Sequence, residues 1–417
     1  MNDRKLYEQI LGISSPWHVS HVELKLDGGE VLVFVEGSKA AEACPECGRR
    51  CARYDANERR WRHLDTCQYH TILVASVPRI KCNEHGVRQI RVPWAEERSR
   101  FTALFEALVI DWLSATENIS AVAKGLNLTW EEVAGIRSRA VRRGLARRGR
   151  AALPAAIGVD ETSITRGHEY VTVVNALSEA RVLEVIDHRA EASLDAFWSQ
   201  YEPGELEKVE QVAMDMWPAY IQSTRKHLTD ADEKIVFDKF HILGHLAEAV
   251  DKVRRRENRE LQRGGDSRLA KTRYLWLTHP DRLEGEARHR LERLRQGSLR
   301  TARAFRYKEI ASGLWGYVRR GMAERMWRRW LHGALRCKLE EIRKVARMIR
   351  NHLYGVMNAA TSDITNAMSE SVNSHIQRIK KRACGFRSRL RYREAILFHL
   401  GGLDLYPATV SSIHSNA

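Results

Sequence analysis

The sequence predicts a multidomain α+β protein, and three observations predict it. Two Cys-containing pairs with metal-ligand spacing lie among short alternating runs near the N-terminus. Between residues 155 and 242, apolar β-like runs alternate with helical patterns. From residue 243 to 360 the pattern is almost wholly helical and strongly charged. A chain of 417 residues exceeds one ordinary domain and implies about two to four. The expected order is a β-rich metal ribbon (1–95), a helix-turn-helix (96–150), the first part of an α/β core (151–245), a helical block (246–360) and the end of the core (361–417).

Apolar residues make up 43% of the chain, enough for genuine cores. Lys and Arg total 69 against 53 acids, a net charge of +16. That field favours a polyanionic partner, and the arginines recur in clusters: Arg137 to Arg150, Arg254 to Arg263, Arg319 to Arg329 and Arg378 to Arg393. No apolar run approaches the roughly 20 residues that span a bilayer. Met1-Asn2-Asp3-Arg4-Lys5 lacks the apolar core of a signal peptide. The expectation is a cytosolic protein without a membrane partner, in which seven cysteines serve as metal ligands or thiols.

Residues 17 to 36 alternate through Val19, Val22, Leu24 and Leu26, reach Gly28-Gly29, and resume with Val31, Val33 and Val35. This reads as a β-hairpin. Cys44-Pro45-Glu46-Cys47-Gly48 follows, a knuckle sequence in which two thiolates three residues apart share one tetrahedral ion. Cys82-Asn83-Glu84-His85-Gly86 supplies the second pair. Cys67 and His70 compete with it at the same spacing, but sit in a strand-like stretch where positions three apart face opposite ways. Cys51 is a lesser rival. Cys44, Cys47, Cys82 and His85 are therefore the expected ligands of one structural Zn²⁺.

Apolar residues from Phe101 to Leu113 recur at helical spacing. Ser120 to Leu128 reads as a short helix and tight turn, and Thr129 as the N-cap of a second, Arg-rich helix. That helix would enter a major groove, with Arg137, Arg139, Arg142 and Arg143 contacting DNA.

Strands are expected at 155–159, 170–175, 181–186, 209–214 and 234–237, with a helix over 193–200. Asp160 and Asp215 each follow an apolar run, which puts them at strand ends of one sheet. Glu370 lies early in a basic helical stretch, with Asn373, Ser374, Gln377 and Lys381 on its face. Three such acids suit two hard divalent cations, Mg²⁺ or Mn²⁺, and phosphodiester chemistry. Trp276, Trp315, Trp327 and Trp330 in the helical block are expected in its core.

Val159-Asp160-Glu161-Thr162, Ala213 to Tyr220, Val236 to His241 and Ser369 to Asn373 occur in this order. Together with the Cys44 knuckle they resemble the bacterial insertion-sequence transposases of the ISL3 group, over about residues 40 to 402. The resemblance implies a DDE transposase with a ribonuclease-H-like core interrupted by a helical insertion. Asp160, Asp215 and Glu370 would be the catalytic acids, holding two metal ions. His241, in an Asp-x₂-His element with Asp238, would donate to the scissile phosphate or the leaving oxygen. Many such enzymes carry a basic residue seven positions after the glutamate; Gln377 stands there, beside Arg378. Asn373, Gln377 and Lys381 would touch DNA.

The implied reaction cleaves transposon ends at terminal inverted repeats and joins the freed 3′-OH to target DNA. A homodimer or larger complex would act at the bacterial nucleoid. The rival reading is a zinc-dependent DNA-binding regulator with an inert core; a third is a nuclease that does not transpose.

Overall fold

The computed structural model describes residues 3–37, 42–164, 169–317, 319–362, 367–408 and 410. The chain forms two compact units. One comprises Met1–Arg150, Ile379–Gly385 and Glu394–Ala417; the other comprises Ala151–Arg378 and Phe386–Arg393.

The first unit begins with helix α1 (Asp3–Leu11) and strands β1 (Trp17–Lys25), β2 (Glu30–Gly37), β3 (Ala52–Arg62), β4 (His70–Cys82) and β5 (Gly86–Gln89). The order is β1-β2-β4-β3, with β5 also on β4. The β1–β2 pair is the expected hairpin. Its alternation buries Val31, Val33 and Val35 against Leu73, Ala75 and Val77 of β4. Trp94 closes this core edge-on to both Trp17 and Trp61, at 5.0 and 5.5 Å between ring centroids.

Three helices follow: α2 (Ala103–Thr116), α3 (Ile119–Gly125) and α4 (Trp130–Arg148). Each start is capped by the residue its sequence supplies. Thr102 and Asn118 accept from the amides of Phe105 and Ala121, and Thr129 forms a full capping box with Glu132. This is the helix-turn-helix that the sequence predicts, with α4 running on to Arg148.

The second unit holds β6 (Ala156–Ser163), β7 (Tyr170–Ala176), β8 (Arg181–Asp187), α5 (Glu191–Trp198), α6 (Pro203–Leu206), β9 (Gln211–Met214), α7 (Pro218–His227), α8 (Ala231–Lys234) and β10 (Ile235–Phe237). The strand order is β10-β9-β6-β7-β8. β6 pairs antiparallel with β7 and parallel with β9, and β9 pairs parallel with β10. After β10 come α9 (Lys239–Arg263), α10 (Arg273–Leu277), α11 (Gly285–Gln296), α12 (Arg300–Leu314), α13 (Arg320–Arg336), α14 (Glu340–Asn351) and α15 (Leu353–Thr361). Trp276, Trp327 and Trp330 are buried in this block and Trp315 packs against them, as expected. The chain then forms α16 (Ala367–Arg382) and α17 (Arg389–Leu400).

Side-chain alternation sorts the sheet's two faces. Ile157, Val159, Val212, Met214, Ile235 and Phe237 point into the large core. Gly158 and Ala213 point the other way, and so do the next even-numbered or odd-numbered partners along each strand, Asp160 and Asp215. The register pairs Val159 with Met214, so the two acids follow at one level. One expectation needs correction here. β6 continues to Ser163 alongside β7, so Asp160 lies within its strand; only the parallel pairing with β9 ends before it.

The start of α16 runs along β6 on this second face. A Cβ on Gly158 would press first on Asn175 Oδ1 of β7 and sit 2.8 Å from Ser369 Oγ, Asn373 Nδ2 donates to Asp160 Oδ2, and Gln377 Nε2 donates to Thr162 Oγ1 at 3.3 Å. Four helical residues rise about 6 Å. Two strand residues rise about 6.6 Å. The match lets three successive helix positions meet three successive same-face strand positions. Gly158→Ala should crowd both Asn175 of β7 and Ser369 of the helix and cost about 1–3 kcal/mol, read as a lower Tm by calorimetry; an unchanged Tm would show that the approach is not tight.

Candidate functional site

The first cluster stands at the end of β4. Cys82 is its last residue and Gly86 opens β5, so the Cys82–His85 knuckle is the β4–β5 turn. Gly86 and Gly48 both adopt the left-handed conformation, φ +68° and +71°, that closes each knuckle without a Cβ clash. Ligand atoms of Cys44, Cys47, Cys82 and His85 all lie within 4.8 Å of one another. Cys47 Sγ is 3.8 Å from Cys82 Sγ, and His85 Nδ1 is 3.8 Å from Cys44 Sγ and 3.5 Å from Cys82 Sγ. Sulfurs about 2.3 Å from a tetrahedral zinc stand about 3.8 Å apart, so the donor set fits that ion. Hydrogen bonds from the His85 amide, the His85 ring and the Glu84 amide pull the Cys82 thiol down to about 6. Cys67, the rival, is exposed and outside the cluster.

The arginines of α4 behave differently from expectation. Arg137 is buried and pairs with Glu394 at 3.7 Å. Arg139 donates through Nε to Glu106 at 2.9 Å, and that carboxylate is 1% exposed. Arg143 donates to the Leu405 carbonyl at 3.0 and 2.7 Å and pairs with Glu96. These three guanidiniums are held by partners within the protein, as a buried acid requires, whereas the sequence reading expects them on DNA. Arg142 alone of the four is exposed.

The second cluster is a cleft of about 580 Å³ lined by Asp160, Asp238, Phe240, His241, Glu370 and Asn373. A recess beside it is lined by Asp160, Asp215, Asp238, His241 and Ser369. The three aspartates share one geometry. Each accepts at Oδ1 from a backbone amide just downstream: Asp160 from Glu161 at 2.7 Å, Asp215 from Met216 at 2.6 Å, Asp238 from Phe240 at 2.7 Å. Each Oδ2 meets a side chain of the site. Asn373 donates to that of Asp160, and His241 lies 3.7 Å from that of Asp215 and 3.9 Å from that of Asp238. Burial pushes the Asp160 carboxyl above the usual carboxylate range, and the nearby Asp215 adds to the push; the Glu161 amide, Asn373 and His241 oppose it. Glu370 is exposed on the cleft wall. Among the described residues, the tight cluster of ligand atoms is the Cys/His one; Asp160 and Glu370 line the cleft, Asp160 and Asp215 the recess beside it, and the three acids do not close to that distance.

Asp160, Asp215, Glu370 and His241 are thus brought to one cleft system. Asn373 touches Asp160, a role the sequence reading missed. Gln377 is exposed and held by Thr162. Lys381 is exposed and lies in the Ile379–Gly385 segment of the first unit. His245 and Glu248 also line the cleft. The spacing Asp238, His241, His245, Glu248 is a polar stripe on one face of α9, a signal available in the sequence. Glu161, next to Asp160 on β6, pairs with Arg189 at 3.1 Å. Arg189 in turn stacks between Tyr170 and Trp217, 4.4 and 4.5 Å from their ring centroids, and accepts from Trp217 Nε1 through its carbonyl, which fixes the segment after Asp215.

Three family models match the chain. A DDE transposase model of the ISL3 group covers residues 157–396. A model described as the zinc-finger of transposase IS204/IS1001/IS1096/IS1165 covers 40–85, and one described as the helix-turn-helix domain of transposase family ISL3 covers 90–141. The chain is 27% identical over 395 residues to the transposase for insertion sequence element IS1001 of Bordetella parapertussis, covering 93% of this chain and 96% of that protein. It is 26% identical over 420 residues to the transposase for insertion sequence element IS1557 of Mycobacterium tuberculosis, covering 93% of each.

Arg139→Ala should take from the Glu106 carboxylate its nearest cation, leaving the Ser99 hydroxyl, which donates at 2.8 Å, and Arg143 3.7 Å away. The expected loss is roughly 2–3 kcal/mol of stability in urea unfolding. A variant that keeps its stability and loses DNA affinity instead would restore Arg139 to the DNA face.

Proposed function

The chain belongs to the ISL3 family of transposases, and we propose that it binds the terminal inverted repeats of its element, cleaves the ends and joins them to target DNA. The single observation that carries the chemistry is the cleft where Asp160, Asp238, His241 and Glu370 meet, with Asp215 beside Asp160. The strand order and the position of the helical block between β10 and α16 support a ribonuclease-H-like core with an insertion.

Asp160, Asp215 and Glu370 are the proposed ligands of two Mg²⁺ or Mn²⁺ ions. The donor set fits: oxygen ligands are hard, and a half-buried pair of carboxylates whose charges oppose each other needs a cation nearby. Ions held there would activate the attacking hydroxyl and stabilise the leaving 3′ oxygen. The chain's own groups do the rest. Backbone amides fix one oxygen of each aspartate, so the other faces the reaction. Asn373 orients the second Asp160 oxygen. His241, with its side chain 40% exposed between Asp215 and Asp238, is placed to donate to a phosphate or leaving oxygen. No covalent intermediate with the protein is required.

The Cys44, Cys47, Cys82 and His85 cluster is the proposed zinc site, structural in role because its four ligands leave no open position. The ribbon and the helix-turn-helix would select the ends. Arg142 remains a phosphate contact, as do Gln377 and Lys381 from α16. Two ends call for at least a homodimer in the active complex, working at the bacterial nucleoid. No described helix is long and apolar enough to cross a membrane.

Asp215→Ala should lower Mg²⁺-dependent nicking of labelled ends about a thousandfold, several kcal/mol of transition-state stabilisation, while inverted-repeat binding survives. Unchanged nicking would remove Asp215 from the site, and a wild-type chain that binds without nicking would favour the regulator with an inert core. Elemental analysis should find one zinc per chain, lost in Cys82→Ser together with a lower Tm; zinc retained by that variant would place the ion elsewhere.

A further inference from the structure

Several exposed arginines of the helical block have acidic partners: Arg256 with Glu341 at 2.8 Å, Arg293 with Glu286 at 2.7 Å, Arg347 with Glu340 at 3.2 Å. The outer face of α13 departs from that pattern. Met322, Arg325, Arg329, His332 and Arg336 are exposed and recur at steps of three and four residues, one stripe of the helix. The opposite stripe, with Ala323, Trp327, Trp330 and Leu331, is buried. Arg325 and Arg329 have neither ion pair nor side-chain hydrogen bond among the described residues. The one acid of this helix, Glu324, is occupied by Arg328 at 2.6 Å.

The neighbouring helix enlarges the patch. Trp330 Nε1 donates to the Tyr307 carbonyl at 3.0 Å, and the Tyr307 hydroxyl donates to the Gly333 carbonyl at 3.2 Å, which locks α12 to α13. Arg303 and Arg306 are exposed on α12 beside this junction, and both act electrostatically on Tyr307. They too lack an acidic partner among the described residues.

We propose that Arg303, Arg306, Arg325, Arg329 and Arg336 form a second DNA-contact face, which grips duplex phosphates outside the cleft without reading sequence. This rests on the reading that DNA is the substrate. Guanidiniums with no acid to neutralise them among the described residues, of which Arg336 alone shares a nitrogen with a neighbouring ring, that of His332, present bidentate donors to phosphate from a packed helix pair with little ordering cost. From Arg325 to Arg336 the helix rises about 16 Å. A major groove is about 12 Å wide, so the stripe reaches phosphates on both sides of one groove. Neither α12 nor α13 carries an Asn or Gln, the residues that read adenine edges.

The test uses the full chain and a random-sequence duplex, with anisotropy measured across a salt series. In Arg325→Glu/Arg329→Glu the slope of log affinity against log salt should fall by about two, and affinity at moderate salt by about tenfold. Arg325→Gln/Arg329→Gln should lose in the same direction, and it carries the test should the charge-reversed pair fail to fold. Arg293→Gln, from a paired arginine, should change neither quantity. Slope and affinity unchanged in both double variants overturn the proposed face and leave the cleavage reading intact. A wild-type chain that binds no duplex overturns both. Displacement of the duplex by polyglutamate as readily as by unlabelled DNA would assign the face to an acidic polypeptide and overturn the DNA assignment.

Discussion

The second unit depends on one close approach, α16 lying against β6 where Gly158 leaves room for Ser369. A side chain there would press on Asn175 of β7 and on Ser369 of the helix alike. With the helix seated, Asn373 reaches Asp160 and Gln377 reaches Thr162, whose hydroxyl also meets Tyr392 at 3.0 Å. Glu370, one residue after Ser369, is thereby brought to the wall of the cleft that Asp160 lines. The placement of an acid from a distant part of the chain is thus a packing result: a glycine on a strand decides where a glutamate on a helix stands.

Electrostatics then distinguishes charges that look alike in composition. The net charge of +16 says nothing about which cations are spoken for. On α4, Arg137, Arg139 and Arg143 are consumed by Glu394, Glu106, Glu96 and the Leu405 carbonyl. On α13, Arg325 and Arg329 face outward with no acid to neutralise them among the described residues. A buried guanidinium needs its partner to exist at all, whereas an exposed one is free to exchange water for phosphate. The same residue type therefore serves cohesion in one helix and recognition in another, and burial decides between them.

Much of this was legible in the sequence, for identifiable reasons. The five core strands stood out because each is a short apolar run, and the knuckle ligands because a glycine follows each pair where the backbone must turn. The helix-turn-helix announced itself through Thr129 and Glu132, a local signal. What escaped was non-local. Arg139 meets a carboxylate on a different helix, Arg143 meets a carbonyl near the other end of the chain, and Asn373 meets an aspartate on β6. No periodicity encodes such partners. Asp160 looked like a strand end because its apolar run stops there, yet β6 continues through Glu161, Thr162 and Ser163 on β7 alone.

The matched rise of α16 and β6 has a bearing on which indels the gene can absorb. Adding one residue between Ser369 and Gln377 would rotate everything beyond it by about 100° and break the stepwise meeting of helix and strand. The connections between α9 and α15 carry no comparable phase constraint, since those helices pack through broad apolar faces. Drift in chain length should therefore accumulate in the helical block, while the nine positions from Ser369 to Gln377 keep their count.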